Sequence, residues 1–229
     1  MAQRMGKAFL TAILRNEPEP ELEISAGALL SPRRARLLEY YCLHPLAVAA
    51  EVARATAMAA GTVRWHGSKL VETGWLELSG PTYYPCSLVD VADLPILRTV
   101  GSRAARQTLA SAFESPGQSV SELGKVVGLS RQATARFVEE FRSVGLLSVV
   151  EDGTFARAYP TRLLAQRREA TIDRVGAFCK DVLRRLSTEG LAPEVLRKTR
   201  SEFLVRYGPR GRRMVLNLPV DPFSNALIP

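Results

Sequence analysis

An internal repeat constrains this chain more than any other feature, because two similar segments must fold into two similar units. Residues 48–78 align with residues 119–149 without gaps, at a constant offset of 71. The pattern of apolar positions agrees along the alignment, and both segments end in the same way. Three aligned pairs are identical: Glu51 with Glu122, Gly74 with Gly145, and Leu76 with Leu147. The repeat predicts two copies of one unit in tandem.

The first copy is predicted to contain three helices and a hairpin. Ser31 is an N-cap candidate, and Pro32 suits the first helical position after it. That helix should stop at His44-Pro45, because the residue before a proline disfavours helix. Two further helices are predicted at 47–55 and 62–73, with Gly74 as the C-terminal cap. Alternating residues predict strands at 75–78 and 82–88.

The second copy repeats this order of elements. Helices are predicted at 103–114, 120–127 and 131–144, and strands at 146–150 and 154–159 around the turn Asp152-Gly153. Gly128 suits a left-handed turn between the second and third helices, and Ser130 suits the N-cap of the third. Three helices followed by a two-stranded hairpin form the winged-helix arrangement, whose third helix enters the major groove of DNA.

The predicted fold class is therefore mainly α with small β-hairpins (α+β). Residues 1–30 are expected to form an N-terminal helix and linker, followed by winged-helix domains at 31–90 and 100–160. The remaining segment, 161–229, is expected to hold a long amphipathic helix at 162–189 and a short helix from Pro193 to about Arg200. Two strands around residues 208–211 follow them, forming a third hairpin.

The third helix of the first copy resembles the recognition helix of ArsR- and MarR-like winged-helix regulators of archaea and bacteria. The resemblance rests on Thr62-Val-Arg-Trp-His66, Lys69-Leu70 and Glu72-Thr-Gly74. Those families usually have leucine after the histidine, where this chain has Gly67, and glycine inside a helix costs about 1 kcal/mol relative to alanine. The tandem arrangement also resembles plasmid replication initiators and chromosome-segregation scaffold proteins. The resemblance implies a DNA-binding protein.

Candidate DNA contacts in the second copy lie around its third helix. Arg131, Gln132 and Arg136 are predicted near its exposed N-terminal part, and arginine and glutamine can read guanine and adenine in the major groove. Ser130 and Thr134 are candidates for phosphate contacts, although Thr134 also falls on the packing face with Phe137, Val138 and Phe141. Exposed arginines that are merely solvated are the alternative. In the hairpin, Arg157 must compensate for the acidic tip Glu151-Asp152.

The first copy offers Thr62, Arg64, Trp65 and Lys69 as candidate DNA contacts on its third helix. His66 is interpreted as a core residue rather than a metal ligand. Trp65 is expected to pack against the hairpin or the other domain, with contact to thymine methyl groups as the alternative.

The net charge of +8 is concentrated at the C-terminal end. Residues 161–229 carry 14 basic and 7 acidic side chains, a net +7. A basic surface attracts phosphate polyanions, although it can equally be a solvated face. Arg210, Arg212 and Arg213 are candidates for minor-groove or phosphate contacts at the tip of the third hairpin, and a basic rim on a structural cap is the alternative.

An apolar stripe along the predicted long helix is spaced by alternating steps of three and four residues. The stripe consists of Ile172, Val175, Cys179, Val182 and Leu186. Because ArsR- and MarR-like proteins dimerise through terminal helices, the resemblance implies a homodimer through the 162–189 helix. The alternative is that the stripe packs within its own chain.

The sequence lacks recognisable patterns of the residues that other classes of function need. No catalytic constellation, cofactor loop or paired-cysteine metal site is recognisable, so no enzyme activity, cofactor or metal is expected. Three cysteines favour a reducing cytoplasm, near the nucleoid for a DNA-binding protein, and no apolar stretch suits a membrane span. The predicted function is sequence-specific binding of double-stranded DNA in transcription regulation. Replication or chromosome maintenance, and a tandem winged-helix scaffold for proteins, remain alternatives.

Overall fold

A computed structural model describes residues 27–223, and the helix expected near the N-terminus lies outside this range. The fold is α+β with three small antiparallel sheets, as predicted for the fold class. The first unit follows a single 3-10 turn at Ala28–Leu30. Its elements are α1 Pro32–Leu43, α2 Ala49–Thr56, α3 Ala60–Glu72, β1 Leu76–Ser79 and β2 Thr82–Pro85.

The second unit repeats three helices and a hairpin, as the sequence repeat predicts. A 3-10 turn at Val91–Asp93 and the short helix α4, Leu94–Thr99, lead into it. Its own elements are α5 Arg103–Glu114, β3 Gln118–Ser119, α6 Val120–Val127, α7 Arg131–Ser143, β4 Leu147–Asp152 and β5 Phe155–Pro160. Strand β3 pairs with β5, so the hairpin becomes a three-stranded sheet in the order β3-β5-β4.

The predicted glycine caps are in place at the ends of both third helices. Gly74 has a φ of 74° and Gly145 a φ of 78°, a left-handed conformation that glycine adopts without steric cost. After each glycine the chain turns back at once, since Trp75 N donates to Leu70 O and Leu146 N donates to Phe141 O. The shared glycine therefore sets the angle between helix and hairpin in both units.

The last part of the chain forms a long helix and a three-stranded sheet. Helix α8 runs over Leu163–Thr188, as predicted. The strands are β6 Glu194–Lys198, β7 Glu202–Tyr207 and β8 Met214–Pro219, in the order β6-β7-β8. The sheet packs on the first unit, where Tyr207 Oη donates a hydrogen bond to Leu29 O at 2.7 Å and Asn217 N donates to Glu39 Oε1 at 2.8 Å.

The prediction of a short helix from Pro193 to about Arg200 is wrong, because this segment forms the edge strand β6. Its residues are competent for helix, but the backbone of β7 is open on that side and accepts an antiparallel partner. The pairing runs from Glu194 opposite Arg206 to Lys198 opposite Phe203, with a register shift between Val195 and Arg197. Tertiary pairing overrides local helix propensity here.

Two hydrophobic cores organise the molecule. The first joins α1–α3 and the first hairpin to α8 and the C-terminal sheet, around side chains such as Tyr41, Leu70 and Phe203. The second surrounds α5–α7 and the second hairpin, with Phe141 at its centre. Tyr84 of the first hairpin also belongs to the second core, so the two units are in contact.

The apolar stripe predicted on the long helix lies on α8, and we call it the α8 stripe. It is mostly buried within the chain. Val175, Cys179, Val182 and Leu186 belong to the first core, whereas Ile172 is 47% exposed. The side chains that were expected to form a dimer contact are thus occupied by the C-terminal sheet and the first unit. The expectation of a homodimer through this helix receives no support, and packing within the chain, the stated alternative, is observed.

Among residues 27–223, no helix combines the length and apolar character needed to cross a bilayer.

Candidate nucleic-acid interface

Helices α6 and α7 are joined by a tight turn that the sequence specifies residue by residue. Ser119 and Glu122 form a capping box at the start of α6, with Ser119 N donating to Glu122 Oε2 at 2.7 Å. Gly128 ends α6 with a φ of 70°. Ser130 Oγ then accepts a hydrogen bond from Ala133 N at 3.2 Å, which caps α7. The predicted caps and the predicted turn at Gly128 between α6 and α7 are therefore present in this unit.

The two helices approach closely because glycine occupies the point of contact. A Cβ atom at Gly124 would lie 2.9 Å from Thr134 Oγ1 and 3.0 Å from Leu129 O. Thr134 is completely buried, and its hydroxyl donates to Ser130 O at 3.0 Å. The prediction that Thr134 contacts phosphate is wrong, since its side chain holds the turn from inside.

The outer face of α7 carries the side chains that suit base recognition. The side chains of Arg131 and Gln132 are exposed in its first turn. Neither side chain forms a hydrogen bond or ion pair with another of the residues 27–223. Arg136 is 70% exposed, stacks on the ring of Phe137 at 5.3 Å and lies 3.5 Å from Glu140. Such an exposed pair is worth little, so Arg136 can exchange Glu140 for a phosphate or a base.

The predicted contacts that flank α7 have roles inside the fold. The Ser130 hydroxyl is exposed but already caps α7. Arg157 donates to Asp152 Oδ2 at 2.7 Å and to Gly117 O at 3.0 Å. The hydrogen bond to Asp152 raises the pKa of the Arg157 guanidinium. Arg157 thus neutralises the acidic hairpin tip, as its position suggested, and is not free to bind DNA in this arrangement.

The recognition-helix candidates of the first unit are only partly available. Arg64 is exposed and Thr62 half-buried, whereas Lys69 pairs with Glu72 at 2.8 Å. Trp65 remains 45% exposed and meets the buried ring of His66 edge-on at 4.7 Å. The expectation that Trp65 packs against the hairpin or the other domain stays a prediction. His66 is buried in the core, as predicted.

Gly67 is required by the packing of the first hairpin on α3. A Cβ atom at Gly67 would lie 2.8 Å from the Tyr83 ring. The Tyr83 hydroxyl reaches across the helix and donates to Arg64 O at 3.3 Å. The departure from the family pattern therefore has a structural reason within this unit: the ring of Tyr83 occupies the space of the missing side chain.

The arginines of the third hairpin divide into two groups. The side chains of Arg210 and Arg212 are exposed and form no hydrogen bond or ion pair with the rest of residues 27–223. Arg213 instead donates to Ala192 O at 3.0 Å and to Gly208 O at 3.1 Å, and lies 3.6 Å from Glu194. Arg213 therefore braces the hairpin, while Arg210 and Arg212 remain candidates for phosphate contact.

A cluster of charges between the units was missed at the level of sequence. Arg174 of α8 pairs with Asp90 and lies 3.5 Å from Asp93, which is also 3.4 Å from Arg167. Asp93 is buried, and burial raises its pKa against the opposing effect of the two arginines. The partners are about 80 residues apart in sequence, so no local pattern could have linked them.

The described residues contain no recognisable metal site. No group of three or more His, Cys, Asp or Glu side chains within 27–223 is arranged to hold a metal ion. The buried environment of Cys42 raises its thiol pKa, as burial does for Cys179, so neither is an activated thiolate.

Comparisons with known proteins give distant similarities only. No protein family matches the sequence, and no curated protein is significantly similar to it. ScpB from Mycobacterium tuberculosis shares 20% identity at a TM-score of 0.25, over 58% of this chain and 93% of that one. The mRNA-binding domain of elongation factor SelB from E. coli, solved in complex with SECIS RNA, shares 14% identity at a TM-score of 0.24. The match covers 55% of this chain and 96% of that one. IdeR of T. acidophilum shares 12% identity at a TM-score of 0.22, and the match covers 84% of this chain and 94% of that one. Similarities at these TM-scores do not decide the function of this chain.

Proposed function

We propose that this chain binds double-stranded DNA through two tandem winged-helix units, with α7 as the principal recognition helix. The observation that carries the proposal is the division of α7 into two faces. Thr134, Phe137 and Phe141 are buried against the unit, and the opposite face presents Arg131, Gln132 and Arg136 to solvent. A capped helix that follows a tight turn and exposes these side chains at its start suits the major groove.

The unpaired arginines of the third hairpin support the same proposal. Arg210 and Arg212 project from a turn near the C-terminal end, in the third of the chain that carries the net positive charge. Phosphate contacts of this kind add affinity without reading sequence. The first unit contributes less in this proposal, because the turn of the first hairpin is uncharged.

Transcription regulation is the role we propose for this binding. Replication or chromosome maintenance is the alternative, and it would use the same surface. The target sequence separates the two, because a regulator recognises sites in front of genes. Selection of bound sites from random duplexes therefore tests the finer part of the proposal.

A protein scaffold is a second candidate, favoured by the outer face of the second hairpin. Val150, Phe155 and Tyr159 lie on one side of β4 and β5 and are 52%, 54% and 38% exposed. Because Arg157 is bound to Asp152, this face presents apolar groups and little positive charge. Exposed apolar groups on a strand pair suit a protein partner better than a phosphate backbone.

The decisive experiment is fluorescence anisotropy with duplex DNA over a salt series. The test variant is Arg131→Ala/Arg136→Ala, and the matched control is Arg142→Ala. Arg142 lies on the same helix but forms two hydrogen bonds with Glu139, at 2.8 and 2.7 Å. The wild type should bind more weakly as salt rises. The double variant should lose at least about tenfold in affinity, with a salt slope smaller by about two, and the control should change little.

The other outcomes of this experiment assign the site elsewhere. Equal losses in the test and control variants would contradict recognition by α7. Salt-sensitive binding that persists in the test variant and disappears in Arg210→Ala/Arg212→Ala would move the site to the third hairpin. A wild type that fails to bind duplex DNA at low salt would reject the DNA proposal and favour the scaffold.

A further inference from the structure

A cleft opens between helix α8 and the C-terminal sheet, on residues that have no part in the proposed DNA contacts. Its volume is about 690 Å³, within the range typical of small-molecule sites. One wall is a face of α8. The other wall comprises the loop after β6 and the segment after β8.

The apolar surface of the cleft begins where the sheet stops covering the α8 stripe. Val175 and the stripe residues after it are buried beneath the sheet, whereas Ile172, one turn earlier, is 47% exposed and lines the cleft. Val220 lies in the opposite wall but is fully buried, so the accessible apolar surface is that of Ile172 and Ala165 on α8. Ala165 and Gly176 also line the cleft, and their small size leaves it open. A Cβ atom built at Gly176 meets no other atom within 4 Å.

The walls of the cleft are held in position by polar contacts. Arg168 of α8 donates to Asp221 Oδ2 with two nitrogens, at 3.0 and 2.5 Å. Val220 N donates to Ser201 O at 2.9 Å, which ties the segment after β8 to the loop after β6. The cleft is therefore formed by three chain segments that are bonded to one another.

The charges that remain available around the cleft are separated. Because Arg168 and Asp221 neutralise each other, the other charged side chains are Lys198 and Arg200 on the sheet side and Glu169 on α8. The side chains of Lys198 and Arg200 form no hydrogen bond or ion pair with other residues of 27–223. Two available cations beside an apolar surface complement a ligand that has an anionic head and an apolar body.

We propose that this cleft binds a small amphipathic carboxylate. The apolar body lies along Ala165 and Ile172, and the carboxylate pairs with Lys198 and Arg200. Glu169 repels a carboxylate placed at the α8 side and so orients the ligand with its head toward the sheet. The proposal is independent of DNA binding, since none of these residues belongs to α7 or to the tip of the third hairpin.

Decanoate and its uncharged analogue decanol are suitable probes of the full chain. Methyl-labelled protein is titrated with each compound, and the methyl resonances of Ile172, Val175 and Val220 are followed by NMR. Decanoate should shift these signals saturably with one-to-one stoichiometry. The exposed apolar residues Val126 and Val150, which lie elsewhere on the surface, should not shift.

Three variants test the two halves of the site. Gly176→Leu fills the cleft and should weaken both probes at least tenfold, while a thermal melt shows that the helix still folds. Lys198→Gln/Arg200→Gln should weaken decanoate at least tenfold and decanol less than twofold. Glu169→Gln should strengthen decanoate alone. Ala177→Leu is the matched control, because Ala177 is exposed on α8 outside the cleft, and it should bind like the wild type.

Several results would overturn the proposal. Unsaturable shifts spread over all exposed apolar side chains would mean nonspecific adsorption. Unchanged decanoate affinity in Gly176→Leu would place binding elsewhere. Displacement of decanoate by duplex DNA, together with weaker DNA binding in Lys198→Gln/Arg200→Gln, would assign these two cations to DNA.

Discussion

The arginines of the candidate interface are indistinguishable in the sequence, but their surroundings in the structure differ. Arg131 and Arg136 are exposed on α7, whereas Arg157 donates to Gly117 O and Arg213 donates to Ala192 O, both outside their own hairpins. Helical periodicity could separate outer from inner positions on α7, because its buried face is strongly apolar. No periodicity reveals that an arginine on a hairpin has an acceptor nearby, since the acceptor comes from another part of the chain.

Gly67 offers a direct test of packing at the residue scale. Gly67→Ala should destabilise the protein by about 1–3 kcal/mol, because the new Cβ would press on the buried ring of Tyr83. Gly61→Ala, in the same helix and with nothing within 4 Å of the new Cβ, should leave stability unchanged or raise it by up to about 1 kcal/mol. Urea unfolding measures both, and equal effects would show that Tyr83 does not restrict position 67.

His44 should make stability depend on pH in the mildly acidic range. Burial, with a smaller contribution from the Arg106 guanidinium, lowers the pKa of His44 from 6.5 to about 4. The unfolded chain binds a proton below pH 6.5 that the folded chain binds only near pH 4, so stability falls as pH decreases through this window.

The variant His44→Gln isolates this effect. Between pH 7 and pH 5, the wild type should lose on the order of 1 kcal/mol more unfolding free energy than the variant, after allowance for the partial exposure of the ring. Denaturant titrations at the two pH values measure the difference. A wild type and variant with the same pH dependence would refute the assignment.

At the scale of elements, helix α8 matched its predicted length, but its role came from its neighbours. An amphipathic stripe shows that one face of a helix is covered, but it does not identify the element that covers it. The dimer expectation assumed a second chain, whereas the C-terminal sheet of the same chain covers most of the stripe. Strand β6 shows the same dependence, because its helix-compatible residues pair with the free edge of β7.

Two substitutions in the α8 stripe should have very different costs. Leu186→Ala should lose about 2–5 kcal/mol of unfolding free energy, because Leu186 is fully buried in the first core. Ile172→Ala should cost less than about 1 kcal/mol, since this side chain is half exposed at the cleft. Thermal or urea unfolding compares them. A large loss at Ile172 would indicate that another surface covers it in solution.

At the scale of the whole molecule, α8 connects the two units. Its C-terminal part is packed in the first core, where Arg185 stacks on Trp75 at 5.5 Å and donates to Thr73 O at the end of α3. Its N-terminal part pairs with the connector between the units through Arg167 and Arg174. The relative position of the two candidate recognition helices therefore depends on these contacts.

The charge cluster at Asp93 should couple the units energetically. Arg174→Gln should destabilise the protein by about 1–3 kcal/mol, because it leaves the buried Asp93 carboxylate with Arg167 as its remaining close cation. Adding Asp93→Asn should recover part of the loss, since the uncompensated charge is removed. Unfolding measurements on the wild type, both single variants and the double variant complete a double-mutant cycle. Purely additive losses would show that the two residues do not interact.

The sequence by itself determined the repeated unit and most of its boundaries. Helices α5, α6 and α7, the turn at Gly128 and the caps at Gly74 and Gly145 depend on local rules of periodicity, capping and backbone freedom. These rules act over a few residues, so they can be read from the chain directly. The exposed arginines of α7 follow from the same periodicity.

Only the tertiary structure decided which surfaces are covered and which charges are already paired. The strand at β6, the burial of the α8 stripe, the hydrogen bond from Arg157 to Gly117 O and the cluster around Asp93 all require an approach between segments that local rules do not describe. The physical reason is that burial and pairing are properties of contacts, and most of these contacts join residues far apart in sequence. Elements can thus be predicted residue by residue, whereas the site depends on how they pack.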